Sequence, residues 1–227
     1  MMDMDYRYAD FNGATQYFDR RGADRWDELD RVFGGLIPQL QASGQDGLAG
    51  RPIFDPKATN AALTVAAAAE GWGKVPVPLD LRSFGSDWDA GRGNVLAEWQ
   101  FSNYPFLWNN ITRTEVVLRA QATLRGMAGP VEALVVVVKS GSWPASNSTL
   151  YFEQAHAQLD NVTSLGIFQT PIRLVSLDIP TGVSTIEGDW NEYGARYGRY
   201  GTSSPRVFTV SWGAATRLHG LQKATLS

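Results

Sequence analysis

Residues 89–101 read Asp-Ala-Gly-Arg-Gly-Asn-Val-Leu-Ala-Glu-Trp-Gln-Phe. An acidic residue is followed, eight positions on, by Glu98-Trp99-Gln100 inside a short apolar run. The run from Val95 to Phe101 predicts a central β-strand. Side chains alternate across a strand, so Glu98 and Gln100 share one face. Glu is poorly suited to a strand interior, and a buried charge is costly unless it is paired or bound to an ion. Asp89, in the Gly- and Asp-rich stretch from Phe84 to Asn94, can fold back beside that face from a turn or a preceding strand. Two carboxylates and an amide at one strand end form a hard-oxygen site that suits Mg²⁺ better than a soft metal. Hydrolysis of a phosphodiester is the chemistry such a site suggests.

The elements around this strand alternate in type. Trp26, Leu29, Phe33, Leu36 and Leu40 recur at helical spacing and predict a helix over 24–43, with Gly34, Gly35 and Pro38 as points where it breaks in two. Asp55-Pro56 is a helix start, Asp as cap and Pro in the first turn, and Gly71 is its stop. Val75 to Leu81, with two prolines, reads as an extended sheet edge, and Phe84–Asn94 as a turn between strands. A helix is predicted from Asn109/Asn110 to Gly126. Glu132-Ala-Leu-Val-Val-Val-Val-Lys139 is a strand buried on both faces, which requires helices on both sides of its sheet. Ser140–Ser148 is a polar loop, Leu150–Gly166 a helix and Arg173–Ile179 a strand. Thr181–Pro205 is rich in Gly, Tyr, Arg and Ser, and Val207–Trp212 adds one more strand. The fold class is therefore α/β with a central mixed β-sheet flanked by helices.

The 227 residues suffice for one domain with a sizeable core. No apolar run approaches the ~20 residues that span a bilayer, and the acidic start has no apolar stretch of a secretory signal. The absence of cysteine excludes disulfides, thiolate metal sites and a Cys nucleophile, and is consistent with a reducing cytosol. A net charge of −3 argues against a uniformly basic DNA-binding surface. Charge is uneven, however, with acidic residues near the N-terminus and basic clusters at Arg113, Arg119, Arg125 and Lys139 and at Arg196, Arg199 and Arg206, so a positive cleft is compatible with it. His156 and His219 stand apart from other ligands, which leaves zinc and triad chemistry unsupported. No P-loop pattern occurs, so no nucleotide cofactor is expected.

Asp89, Glu98-Trp99-Gln100-Phe101 and the following Asn103-Tyr104-Pro105-Phe106 resemble the BglII/BstYI-type restriction endonucleases, a branch of the PD-(D/E)xK nucleases in which Gln replaces the usual Lys. Tyr8–Gly13, Trp26, Gly71-Trp72-Gly73 and Asn147–Glu153 fall in the same order, so the resemblance runs from about residue 6 to about residue 180. No counterpart is placed for Thr181–Ser227. The resemblance implies a mixed sheet flanked by helices with a PD-(D/E)xK restriction-endonuclease-like core, and a homodimer around double-stranded DNA in a prokaryotic cytoplasm. Residues 1–180 are then the endonuclease core and 181–227 an extension packed on the same domain. It also implies that Asp89 binds Mg²⁺ and bridges it to the scissile phosphate. The Trp99 carbonyl is implied as a further ligand, and Glu98 holds a water of the ion's shell or a second ion. Gln100 cannot supply charge and orients the attacking water. Asp87 shares the face parity of Asp89, but the family's offset to Glu98 favours Asp89. Asn103 and the Ser146–Asn147–Ser148 loop match segments that read bases, whereas Arg119 would contact phosphate.

The function expected is Mg²⁺-dependent cleavage of a short palindromic duplex to give 5′-phosphate ends. Two other readings are kept: a repair or modification-dependent endonuclease on the same core, and a noncatalytic carbohydrate- or protein-binding module using the aromatics of Tyr193–Tyr200.

Overall fold

The computed structural model describes residues 4–101, 105–146, 149–194, 201–215 and 221–227. Its centre is the predicted strand pair. β6 (Val95–Trp99) lies parallel to β7 (Ala133–Lys139), which lies parallel to β8 (Ile172–Asp178). All seven residues of β7 are buried. Ala133, Val135 and Val137 enter one apolar cluster, and Leu134, Val136 and Val138 enter the other. Alternation thus divides a continuous apolar strand between two helical layers.

Three antiparallel strands complete this six-stranded sheet: β1 (Asp5–Phe11) beside β8, and β5 (Asp87–Arg92) and β4 (Gly73–Pro76) beyond β6. One face carries α4 (Pro105–Arg119) and α5 (Phe152–Ser164); the other carries α1 (Ala14–Phe18), α2 (Ala23–Gly34) and α3 (Pro56–Ala69). The mixed sheet flanked by helices is the architecture expected.

A second sheet was not foreseen. β2 (Gln39–Ala42) and β3 (Pro52–Phe54) join β9 (Thr185–Tyr193), β10 (Gly201–Ala215) and β11 (Gln222–Leu226) in the order β11-β10-β9-β2-β3. Leu40 therefore lies on a strand rather than on the helix that begins at Ala23. The Gly- and Asp-rich stretch before Asn94 is mostly strand β5 rather than a turn; the turn is confined to Gly93-Asn94. The extended edge ends at Pro76, and Leu79–Phe84 forms a 3₁₀ helix. The helix placed at Asn109–Gly126 runs instead over Pro105–Arg119.

The helix start at Asp55 is as read. One carboxylate oxygen accepts from the Lys57 and Ala58 amides at 3.0 and 3.1 Å, while the other accepts from the Tyr193 hydroxyl at 2.6 Å. Asp55 is fully buried, so this one carboxylate caps α3 and ties it to β9. Burial, with the hydrogen bond to Asp55, raises the Tyr193 hydroxyl above its ordinary value. Losing a cap costs ~0.5–2 kcal/mol, and an orphaned buried donor adds ~1–3 kcal/mol. Asp55→Ala should therefore lower unfolding free energy by ~2 kcal/mol or more, and Tyr193→Phe by ~1 kcal/mol. Urea titrations with unchanged slope measure both; equal losses would show that the cap contributes nothing.

Candidate active site

β5 and β6 form a hairpin in which Ala90 pairs with Ala97, so Asp89 and Glu98 come together one step further along. Between β4 and β5 the register shifts, Gly73 facing Gly91 and Val75 facing Trp88. β5 thus carries one extra residue, a bulge, in the stretch from Trp88 to Gly91 that contains Asp89. The Asp89 Oδ2 accepts the Trp99 amide at 2.9 Å, and its carboxyl also hydrogen-bonds Glu98. Glu98 is 4% exposed.

Helix α4 supplies the groups that make this burial possible. Arg113, itself 2% exposed, ion-pairs with Glu98 Oε1. Its guanidinium also donates to the Asp87 carbonyl at 2.9 Å and the Phe84 carbonyl at 3.5 Å. It lies 4.7 Å above the Trp88 ring, whose indole N–H donates to Thr114 at 3.0 Å. Gly85 has φ +134°, and a Cβ there would overlap an Arg113 nitrogen. Three residues before Arg113, Asn110 donates to Glu98 Oε2 at 3.1 Å and to Gln100 Oε1 at 3.0 Å. Gln100 is buried, and its backbone N–H donates to the Val137 carbonyl at 2.7 Å. From the opposite layer, Asn60 of α3 donates to the Trp99 carbonyl at 3.4 Å.

These groups line an open cleft of about 460 Å³. Asp89, Glu98, Trp99 and Gln100 are thus brought together as expected. Arg113, Asn110 and Asn60 were not assigned to the site. Their sequence signal was polar residues on the buried side of helices, with Asn110 and Arg113 among Leu107, Ile111 and Val117. Arg113 and Lys139, grouped by sequence with basic surface residues, are both interior. Lys139 lies over the Tyr151 ring, and burial lowers its pKa to about 8. Arg119 is not at the cleft. It lies nine residues beyond Asn110 on α4, ~13 Å along the axis, with Nε on Glu115 at 2.6 Å and its side chain half exposed. Ser146 is partly buried, and its carbonyl accepts from the Thr149 hydroxyl at 3.0 Å. Asn103, Asn147 and Ser148 lie outside the described residues.

Among the described residues, no three His, Cys, Asp or Glu side chains gather for a metal. The oxygens available are those of Asp89 and Glu98 and the Trp99 carbonyl. One or two carboxylates, with water and substrate phosphate completing the shell, is the coordination Mg²⁺ favours. Burial, opposed by the Trp99 amide, raises the Asp89 pKa. Burial raises that of Glu98 further, with Arg113 opposing and Asp89 reinforcing the shift. The donor set fits a hard divalent cation, whose charge would offset both effects.

These shifts have a stability consequence. A carboxyl with a raised folded-state pKa stabilises the fold below its unfolded pKa and loses that contribution as pH rises through the folded value. In chelator, the protein should lose stability as pH increases from ~4 upward through the raised values of this pair. Asp89→Asn keeps an oxygen for the Trp99 amide and removes a charge. It should raise the thermal midpoint at pH 8 more than at pH 5, and a pH-independent change would contradict the coupling.

Comparison with known proteins places this geometry in a family. The profile of the "Restriction endonuclease BglII/BglIII" family matches residues 6–177. The type II restriction enzyme BglII of Bacillus subtilis is 32% identical over 196 residues, 84% of each chain. A crystal structure of restriction endonuclease BglII complexed with a DNA 16-mer superposes with TM-score 0.88 at 28% identity, covering 99% of this chain and 100% of that one. The free BglII structure gives TM-score 0.69 at 27% identity, covering 91% and 95%. Coverage of 99% gives Thr181–Ser227 a counterpart that sequence reading did not place. Asp89, Glu98 and Gln100 all fall inside the matched span, and the chain belongs to the BglII/BglIII family of restriction endonucleases.

Proposed function

We propose that this restriction endonuclease uses Mg²⁺ to cut a short palindromic site in double-stranded DNA, leaving 5′-phosphate ends, and that it works as a homodimer in the cytoplasm of a prokaryote. The observation that carries the reading is the coupled Asp89–Glu98 pair beside the Trp99 carbonyl at the mouth of an open cleft. Such a site gathers oxygen ligands for one hard cation without closing its shell, leaving room for a phosphate. A bound divalent ion would supply Lewis-acid stabilisation of the phosphoryl oxygens and lower the pKa of water. Asp89, Glu98 and the Trp99 carbonyl would hold it. Arg113 ion-pairs with Glu98 and fixes its carboxyl, and Gln100 positions a reacting oxygen by hydrogen bonding. A twofold dimer would give each strand of a palindrome its own cleft.

The DNA complex of the BglII neighbour supports duplex DNA as the partner. Asn103, Ser146, Asn147 and Ser148 are proposed to meet base edges. Arg119, half exposed and held through Nε by Glu115, is proposed to meet a phosphate away from the cut bond. We take residues 1–180 and 181–227 as one domain, because β2 pairs with β9 across that boundary.

Plasmid digestion tests this reading. Purified protein should cut plasmid DNA at defined sites with Mg²⁺ and stop in EDTA. Asp89→Asn should abolish cleavage and keep specific binding; Asp87→Asn should retain it, since Arg113 bonds Asp87 through its backbone. The reverse pattern would move the ligand to Asp87. Gln100→Ala should cut ~10²-fold more slowly or worse, the scale of a lost positioning contact. Near-wild-type rates in that variant would remove Gln100 from the mechanism.

A further inference from the structure

Asn110 stands between the two polar residues of β6, and the sense of its amide follows from its partners. Glu98 presents both carboxyl oxygens toward α4 as acceptors. One of its oxygens is taken by Arg113, and Asn110 turns its amino group toward the other. The second hydrogen of that same amino group reaches Gln100, which must therefore accept through Oε1. Reversing the Gln100 amide would set two amino groups face to face in a buried site.

We propose that Asn110 is a positioning residue that locks Gln100 with its carbonyl toward α4, so that Gln100 meets the scissile phosphodiester as a hydrogen-bond donor through Nε2–H. The inference rests on the endonuclease reading of this cleft. An amide nitrogen carries two hydrogens, and the phosphoryl oxygen would take one of them. A donor held there stabilises charge developing on that oxygen, without the charge of a lysine. The relay is continuous: Arg113 fixes Glu98, Glu98 fixes Asn110, and Asn110 fixes Gln100.

The test combines single-turnover plasmid cleavage with Mg²⁺ and binding in EDTA to a duplex carrying the site mapped from the cut ends. Gln100→Glu keeps an oxygen for Asn110 and replaces the donor by an acceptor. Asn110→Asp, assayed at a pH where it is ionised, offers only acceptors and would turn the Gln100 amide round. Each should slow cleavage by ~10²-fold or more, while binding in EDTA stays within ~3-fold of wild type. Gln100→Lys, which donates whatever Asn110 does, should cut at least ~10-fold faster than Gln100→Glu. Combined with Asn110→Asp, it should be at least ~10-fold faster than Asn110→Asp alone, a rescue that a merely structural Asn110 would not show. Near-wild-type cleavage by Gln100→Glu, or no rescue in the double variant, overturns the proposal. If Asn110→Asp does not fold by circular dichroism, Gln100→Lys against Gln100→Glu decides alone; equal rates overturn it. Wild-type protein that cuts no plasmid overturns the endonuclease reading itself.

Discussion

The Arg113 guanidinium supplies the ion-pair partner of Glu98, a carboxyl buried at the end of a central strand. Removing one partner of such a pair costs ~3–5 kcal/mol, because the other is left charged in a poor solvent. The pair adds little stability over an apolar equivalent, so its value lies in geometry. It links α4 to β6, and through the Phe84 and Asp87 carbonyls it also fixes the segment leading into β5. Trp88 closes the underside, and Gly85 leaves space for the guanidinium. Asp89 is then held between this segment and the Trp99 amide. Four elements, α4, β6, β5 and the 3₁₀ helix, thus meet at one guanidinium.

Much of this was legible in sequence where the signal was local. The alternation of Glu98 and Gln100 announced a polar face on an apolar strand. The run from Ala133 to Lys139 required cover on both faces, and Asp55-Pro56 marked its helix to the residue. The losses share a physical cause. β1 was missed because its partner β8 lies more than 160 residues away, and Asp5 and Asp10 weaken its apolar pattern. β5 was hidden by Gly91, Gly93 and two aspartates, which lower strand propensity, although the hairpin to β6 more than compensates. Leu40 fitted a helical spacing that Gly34 and Gly35 had already ended. Arg113 looked like a surface charge, since no spacing rule reveals that its carboxylate is 15 residues earlier on a neighbouring strand.

The second sheet gives the tail a structural part. Ile186, Trp190, Phe208, Val210, Ala224 and Leu226 share an apolar cluster with α2, α3 and the central sheet. The Asp55 carboxylate, caught between the start of α3 and the Tyr193 hydroxyl, joins early and late chain at one buried atom pair. α3 also carries Asn60, so the tail braces the layer behind the Trp99 carbonyl.

The parallel pairing of β2 with β9 joins Gln39 to Asp189. A nascent chain synthesised as far as Arg119 contains every residue that lines the Asp89 cleft, but neither β8 nor β9. Its β2–β3 hairpin has no neighbour, and the central sheet has no far edge. Strand pairings of such long range form late and slowly. The cleft residues thus come first in the chain, and the frame that aligns them is complete only once β8 and β9 have been made.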